Sequence, residues 1–168
     1  MLESARLLLL IDVMIPKSIR DYLDARGIRF HAGQHSPRAT AQETAAIAHI
    51  PGHRFAKTVA IKGSNGYLLA VLPADEWVDF ERLGDLLGDN VKLATEEELR
   101  RLFPECEAGA MPPLGELYGL PVVVDAALAE APSITCNAGT HVDLIEMPWE
   151  DFLKVGGKPR IIDYGVHA

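Results

Sequence analysis

The stretch Arg54–Pro73, RFAKTVAIKGSNGYLLAVLP, decides how this chain is read. Two runs rich in Val, Ile and Leu flank Asn65-Gly66, a pair that strongly signals a tight hairpin between two strands. Read with a period of two, the first run puts Phe55, Lys57, Val59 and Ile61 on one face and Ala56, Thr58 and Ala60 on the other. A lysine therefore interrupts an apolar row. An ammonium placed there without a partner gives up hydration it does not easily recover.

Upstream of the hairpin, MIPKSIRDYLDARG is a predicted helix. Pro16 suits its first position, Ile15, Ile19, Tyr22 and Leu23 make its apolar stripe, and Gly27 its left-handed stop. The spacing then predicts a strand in IRFHAGQH and a helix in TAQETAAIAHI, which Thr40 and Glu43 open with a capping box. Downstream, Asp79 caps FERLGDLLG, VKLA is a short strand, and Thr95 with Glu98 caps the helix carrying Leu99, Leu102 and Phe103. PVVVD, SITCN and HVDLIEMP read as strands separated by Gly/Pro turns, and WEDFLKV as a short closing helix.

The resulting expectation is an α+β fold with a mixed, mostly antiparallel, partly curled central sheet and helices packed around it. At 168 residues, 48% of them hydrophobic, one compact domain suffices. We place that domain at 14–155, with 1–13 as an N-terminal extension outside the core and 156–168 as a C-terminal tail.

Composition narrows the function. The apolar run Leu7–Ile11 is too short to cross a bilayer and lacks the pattern of a cleaved secretory signal, so the expected location is cytoplasmic, with no membrane partner. Cys106 and Cys136 belong to no CxxC or CxxH cluster, and the six histidines show no HExxH spacing, so neither a metal nor another cofactor is expected. The net charge of −8 argues against indiscriminate nucleic-acid binding, DNA included. It is unevenly spread, however: Arg26–Lys62 holds six bases against one acid, and Pro73–Glu107 four bases against eleven acids. Such a basic segment is either a solvated face or a seat for a phosphate-bearing ligand, and Arg38 and Arg54 are its candidate contacts.

Three features could carry chemistry. Lys57 either snorkels over the core from an edge or donates hydrogen bonds to an oxygen on which negative charge develops. The loop GAMPPLG, Gly109–Gly115, is either a turn between strands or a stiff loop offering backbone N–H groups to a carbonyl. NAGTH, Asn137–His141, offers polar groups at the start of the last strand, although a lone histidine is more often structural than catalytic. Neither a nucleophile elbow nor a P-loop accompanies them.

Taken together, HSPRATAQETA (35–45), AKTV (56–59), VLPA (71–74), LATEEEL (93–99), GAMPPLG and NAGTH stand in an order that resembles the YbaK family. This is the editing domain associated with prolyl-tRNA synthetase, also found as freestanding proteins of the ProX type. The resemblance runs from about Met14 to Lys154. It implies an aminoacyl-tRNA deacylase acting in trans on the ester of a mischarged tRNA, without metal or covalent nucleophile and with assistance from the terminal ribose hydroxyl.

The implied partners are an aminoacylated tRNA and an aminoacyl-tRNA synthetase. Lys57 matches the lysine these enzymes depend on, and the substrate-binding positions fall on Thr58, Gly109, Met111, Pro113, Gly115, Gly139, Thr140 and His141. Thr58, where some alanine-specific members carry asparagine, and Leu114, where phenylalanine is more frequent, depart from the family pattern. The competing readings are a noncatalytic module that binds aminoacyl groups or amino acids, and a hydrolase of some other small ester.

Overall fold

The structure is a computed structural model that describes residues 15–34 and 54–167. The N-terminal extension, the Thr40/Glu43 helix and Arg38 lie outside the described residues.

The first described helix, α1 (Lys17–Ala25), buries Ile19, Tyr22 and Leu23 and is followed by Gly27 at φ +65°. Pro16 is the N-cap rather than the first helical residue: its ψ is 136° and its carbonyl accepts from Ile19 and Arg20. Strand β1 (His31–Gln34) follows, then β2 (Phe55–Gly63) and β3 (Gly66–Pro73), which pair antiparallel from Ala56↔Pro73 to Gly63↔Gly66.

The hairpin stands one residue earlier than expected. Its turn is Ser64-Asn65, neither of which has a positive φ, and Gly66 takes the left-handed geometry at φ +125°. A turn of that kind needs its glycine after the two central residues to match the strand twist. Asp89 holds the turn by accepting from the Ser64 N–H at 2.9 Å.

Beyond β4 (Glu76–Val78) come α2 (Phe80–Leu87), β5 (Lys92–Leu93) and α3 (Glu96–Leu102). Of the caps read from the sequence, the two on these helices are present. Asp79 accepts from the Arg82 N–H, and Thr95 and Glu98 form the reciprocal capping box. The remaining elements are α4 (Gly115–Tyr118), β6 (Val122–Asp125), a 3₁₀ turn (Ala126–Glu130), β7 (Ser133–Asn137), β8 (Asp143–Pro148) and α5 (Trp149–Val155).

Two further strands, β9 (Arg160–Ile162) and β10 (Gly165–His167), lie in the segment read as a tail. β9 pairs parallel with β6, and β10 pairs antiparallel with β4. Between them Tyr164 is fully buried, and its hydroxyl donates toward both Val71 O (2.7 Å) and Val123 O (2.9 Å). That segment is therefore folded: β9 joins the main sheet, and β10 forms a separate two-stranded sheet with β4. Three-residue strands are too short to show the alternation that identifies longer ones.

The main sheet runs β1-β8-β7-β2-β3-β6-β9, with β5 also paired to β2. The β2/β7, β3/β6 and β6/β9 pairs are parallel and the others antiparallel, so the α+β, mostly antiparallel expectation holds. One face carries the larger core: Ala56, Ala60, Leu69, Val71, Val124, Ile134 and Ile145 meet α1, α5 and the loop after α3. The other face carries a smaller cluster of Ile61, Ala70, Leu72, Val123, Leu83 and Tyr164. Lys57 points to that second face, with Ile61 and away from Ala56. No helix among the described residues is long and apolar enough to cross a membrane.

Candidate functional site

Lys57 sits in the first half of β2, opposite Leu72 of β3, and is half-buried. Burial lowers its pKa below the ordinary lysine value, against the opposing pull of Asp75 in the β3–β4 turn and Glu76 at the start of β4. Among the described residues no carboxylate forms an ion pair with it. Its ammonium lies instead over the Trp77 ring, 4.4 Å from the centroid.

β7 brings a second set of groups beside it. The parallel pairs Phe55↔Thr135 and Ala56↔Cys136 put Thr135 and Asn137 on the Lys57 face, both buried. The Asn137 Oδ1 is buried without a hydrogen-bond partner, and so is the Thr58 Oγ1 on the opposite face of β2. Unpartnered buried oxygens of this kind are uncommon and call for a ligand or a water.

Beyond Asn137 the chain leaves the sheet and meets the glycine loop. The Gly139 N–H donates to Ala110 O at 2.8 Å, and the Glu107 N–H donates to Gly139 O at 2.8 Å. His141, with its proton on Nε2, donates to Ala108 O at 2.9 Å, while its own N–H reaches Glu107 Oε2 at 3.4 Å. The loop and the NAGTH segment, about thirty residues apart in sequence, are thus stitched into one unit.

Gly109 has φ +84°, and a Cβ there would point toward His141 Cε1 at 3.8 Å with no closer neighbour. Gly139 has φ +92° and is closed in by α1, since a Cβ would fall 2.7 Å from Pro16 Cγ. Thr140 serves the turn: its hydroxyl donates to Asp143 Oδ2 at 2.5 Å and accepts from the Asp143 N–H at 3.0 Å.

Other predicted positions lie deeper. Met111, Pro113 and Gly115 are buried, Met111 within the larger core. A Cβ on Gly115 would stand 2.3 Å from Val122 Cγ2 and 2.4 Å from Leu120 O, so close packing at the start of α4 requires glycine there. Arg54 is half-exposed, immediately before β2.

Sequence reasoning did not single out Trp77. Its only signal was an aromatic residue in the acidic run DEWVD, within which β4 spans just three residues. Among the described residues no three His, Cys, Asp or Glu side chains converge as a metal centre requires.

Residues 35–155 match the model of the aminoacyl-tRNA editing domain. The chain is 32% identical over 87 residues to a proline–tRNA ligase of Fervidobacterium nodosum, covering 51% of this chain and 15% of the ligase. It is 31% identical over 65 residues to the proline–tRNA ligase of Thermosipho africanus, covering 38% and 12% respectively. It therefore spans less than one sixth of the length of these curated relatives.

Among solved structures, one of a protein suggested to be a trans-editing enzyme for prolyl tRNA synthetase superposes with a TM-score of 0.77 at 25% identity, covering 90% of this chain and 99% of that one. A hypothetical protein of known structure shares the fold at TM-score 0.79 and 22% identity, covering 89% and 100%. The matched span contains Lys57, the glycine loop and His141 alike, and on that match the chain belongs to the aminoacyl-tRNA editing domain family.

Proposed function

We propose that this protein is an aminoacyl-tRNA deacylase that acts in trans, hydrolysing the ester between a wrongly attached amino acid and the terminal ribose of a tRNA. The observation that carries this reading is Lys57: in a chain of the editing family, a half-buried ammonium stands on an apolar strand face with no ion-paired carboxylate among the described residues.

Hydrolysis of an activated ester needs positioning, polarisation of the carbonyl and a guided water. Water adds to the acyl carbon, the carbonyl oxygen becomes an oxyanion, and the ribose oxygen leaves with the proton. Lys57 donates to the oxyanion, and partial burial strengthens that donation relative to water.

In this reading Gly109, His141 and the Gly139-Thr140 turn face the aminoacyl end, with Met111, Pro113 and Gly115 supporting the loop from the core side. Thr58, on the opposite face of β2 from Lys57, supplies a buried hydroxyl without a hydrogen-bond partner. Arg54 and Arg38 receive the tRNA backbone, and a prolyl-tRNA synthetase is the synthetase whose errors the protein would clear, as its ligase relatives suggest.

The test incubates wild type and Lys57→Ala with alanyl-, seryl-, cysteinyl- and threonyl-tRNA and follows release of the labelled amino acid. Wild type is expected to deacylate at least one, and the variant to lose about 10²–10³ in rate. Equal rates for both proteins on every substrate refute the role of Lys57, and binding without turnover favours a noncatalytic aminoacyl-binding module.

A further inference from the structure

The Lys57 ammonium is held by a ring rather than by a counter-charge. Asp75 and Glu76 both act on it electrostatically, yet among the described residues neither forms an ion pair with it. Here it rests on an indole. Trp77 is 61% exposed and belongs to neither buried cluster, so its ring contributes little to the core. Its backbone is nevertheless held, because Trp77 is paired to Val166 of β10.

We propose that Trp77 is the positioning residue of Lys57: the indole face cradles the ammonium off the neighbouring carboxylates, leaving the cation to be offered to a substrate oxygen. The proposal rests on the reading of Lys57 as the electrostatic donor of an editing reaction. An aromatic face attracts a cation through its quadrupole but brings neither a counter-charge nor a conventional hydrogen-bond acceptor. The three N–H donors of the ammonium therefore stay available. A carboxylate in the same place would take up those donors and neutralise the charge that an oxyanion requires.

The test has a spectroscopic and a kinetic arm. In lysine-labelled protein, the ε-methylene signal of Lys57, assigned by its loss in Lys57→Arg, is expected upfield of ordinary lysines under the indole ring current. It should return to the ordinary position in Trp77→Leu. Kinetically, Trp77→Leu is expected to lower kcat roughly three- to tenfold with little change in KM, and Trp77→Phe to restore most of the loss. Because Trp77 is exposed, thermal unfolding should be nearly unchanged in both variants.

A Lys57 signal at the ordinary position in wild type, or one unmoved by Trp77→Leu, overturns the proposal. So does a loss confined to KM, which would make Trp77 a substrate contact. If wild type deacylates no tRNA in the panel, the functional reading fails separately, and the methylene signal alone decides whether the cradle exists.

Discussion

Lys62 Nζ and Glu98 Oε2 stand 3.0 Å apart and tie the middle of the sheet to the first turn of α3. The same carboxylate accepts from the Tyr67 hydroxyl and, through Oε1, from the Thr95 N–H at 3.0 Å. These bonds, led by that of Tyr67, hold the Glu98 carboxyl down at about 2.

A carboxyl depressed in the folded state contributes stability that is present above its unfolded value, 4.5, and is lost as pH falls toward about 2. Glu98→Gln should therefore be less stable than wild type at pH 7, with the gap closing between about pH 4.5 and 2. Thermal unfolding of both proteins across that range checks it; a gap independent of pH would contradict the ionic origin.

Glu76 behaves in the opposite sense. Burial first, then Asp125 and Asp75, raise its pKa, and its buried Oε2 has no hydrogen-bond partner. A raised carboxyl favours folding while it is protonated, and that contribution is lost as pH rises through its folded value. Glu76→Gln should accordingly stabilise the protein at pH 7 to 8, and the gain should vanish as pH falls below 4.5. Unfolding midpoints in urea at the two ends of that range test the sign, and a variant less stable than wild type at pH 8 would reverse the argument.

Tyr164 closes the sheet near its β9 end through the carbonyls of Val71 and Val123. Tyr164→Phe leaves those acceptors short of a donor in a buried place and should cost about 1–2 kcal/mol, whereas Tyr164→Ala also empties the ring's volume and should cost about 3–5 kcal/mol. Truncation before Tyr164 should be at least as damaging as the alanine variant. Denaturant unfolding with unchanged m-values is the measurement, and a truncated chain as stable as wild type would show the segment to be dispensable.

Gly139→Ala tests the stitch between the glycine loop and the last strand. At φ +92°, with Pro16 Cγ 2.7 Å and Ile19 Cδ1 3.2 Å from a new Cβ, the alanine must displace α1 or its own backbone. The expected loss is about 1–3 kcal/mol of stability. Under the proposed function deacylation falls as well, because Gly139 holds Ala110 through its N–H. Gly109→Ala, which meets only His141 Cε1 at 3.8 Å, should be milder in stability and so separate loop chemistry from packing.

What could be read from the sequence was local. The helix caps at Asp79 and Thr95, the stop at Gly27, the hairpin and its lysine, and the strands from Val122 to Pro148 each depend on residues a few positions apart. Capping, turn chemistry and alternation act over that distance, so their signals survive in one dimension. Even there the turn slipped by one residue, because Asn-Gly marks more than one way of placing its glycine.

Tertiary structure decided the rest. The parallel pairing of β7 with β2 and of β9 with β6, the burial of Tyr164, the bond from Gly139 to Ala110 and the seat of Lys57 over Trp77 all join segments well separated in sequence. Closing a longer loop costs only slightly more entropy than closing a shorter one, so separation along the chain does not select partners. Shared burial selects the buried partners and exists only once the sheet has assembled, whereas Trp77, 61% exposed, is brought to Lys57 by the pairing of β2 with β3 and the turn into β4. The sequence determined that a lysine interrupts an apolar strand, and the assembled fold determined which ring that lysine meets.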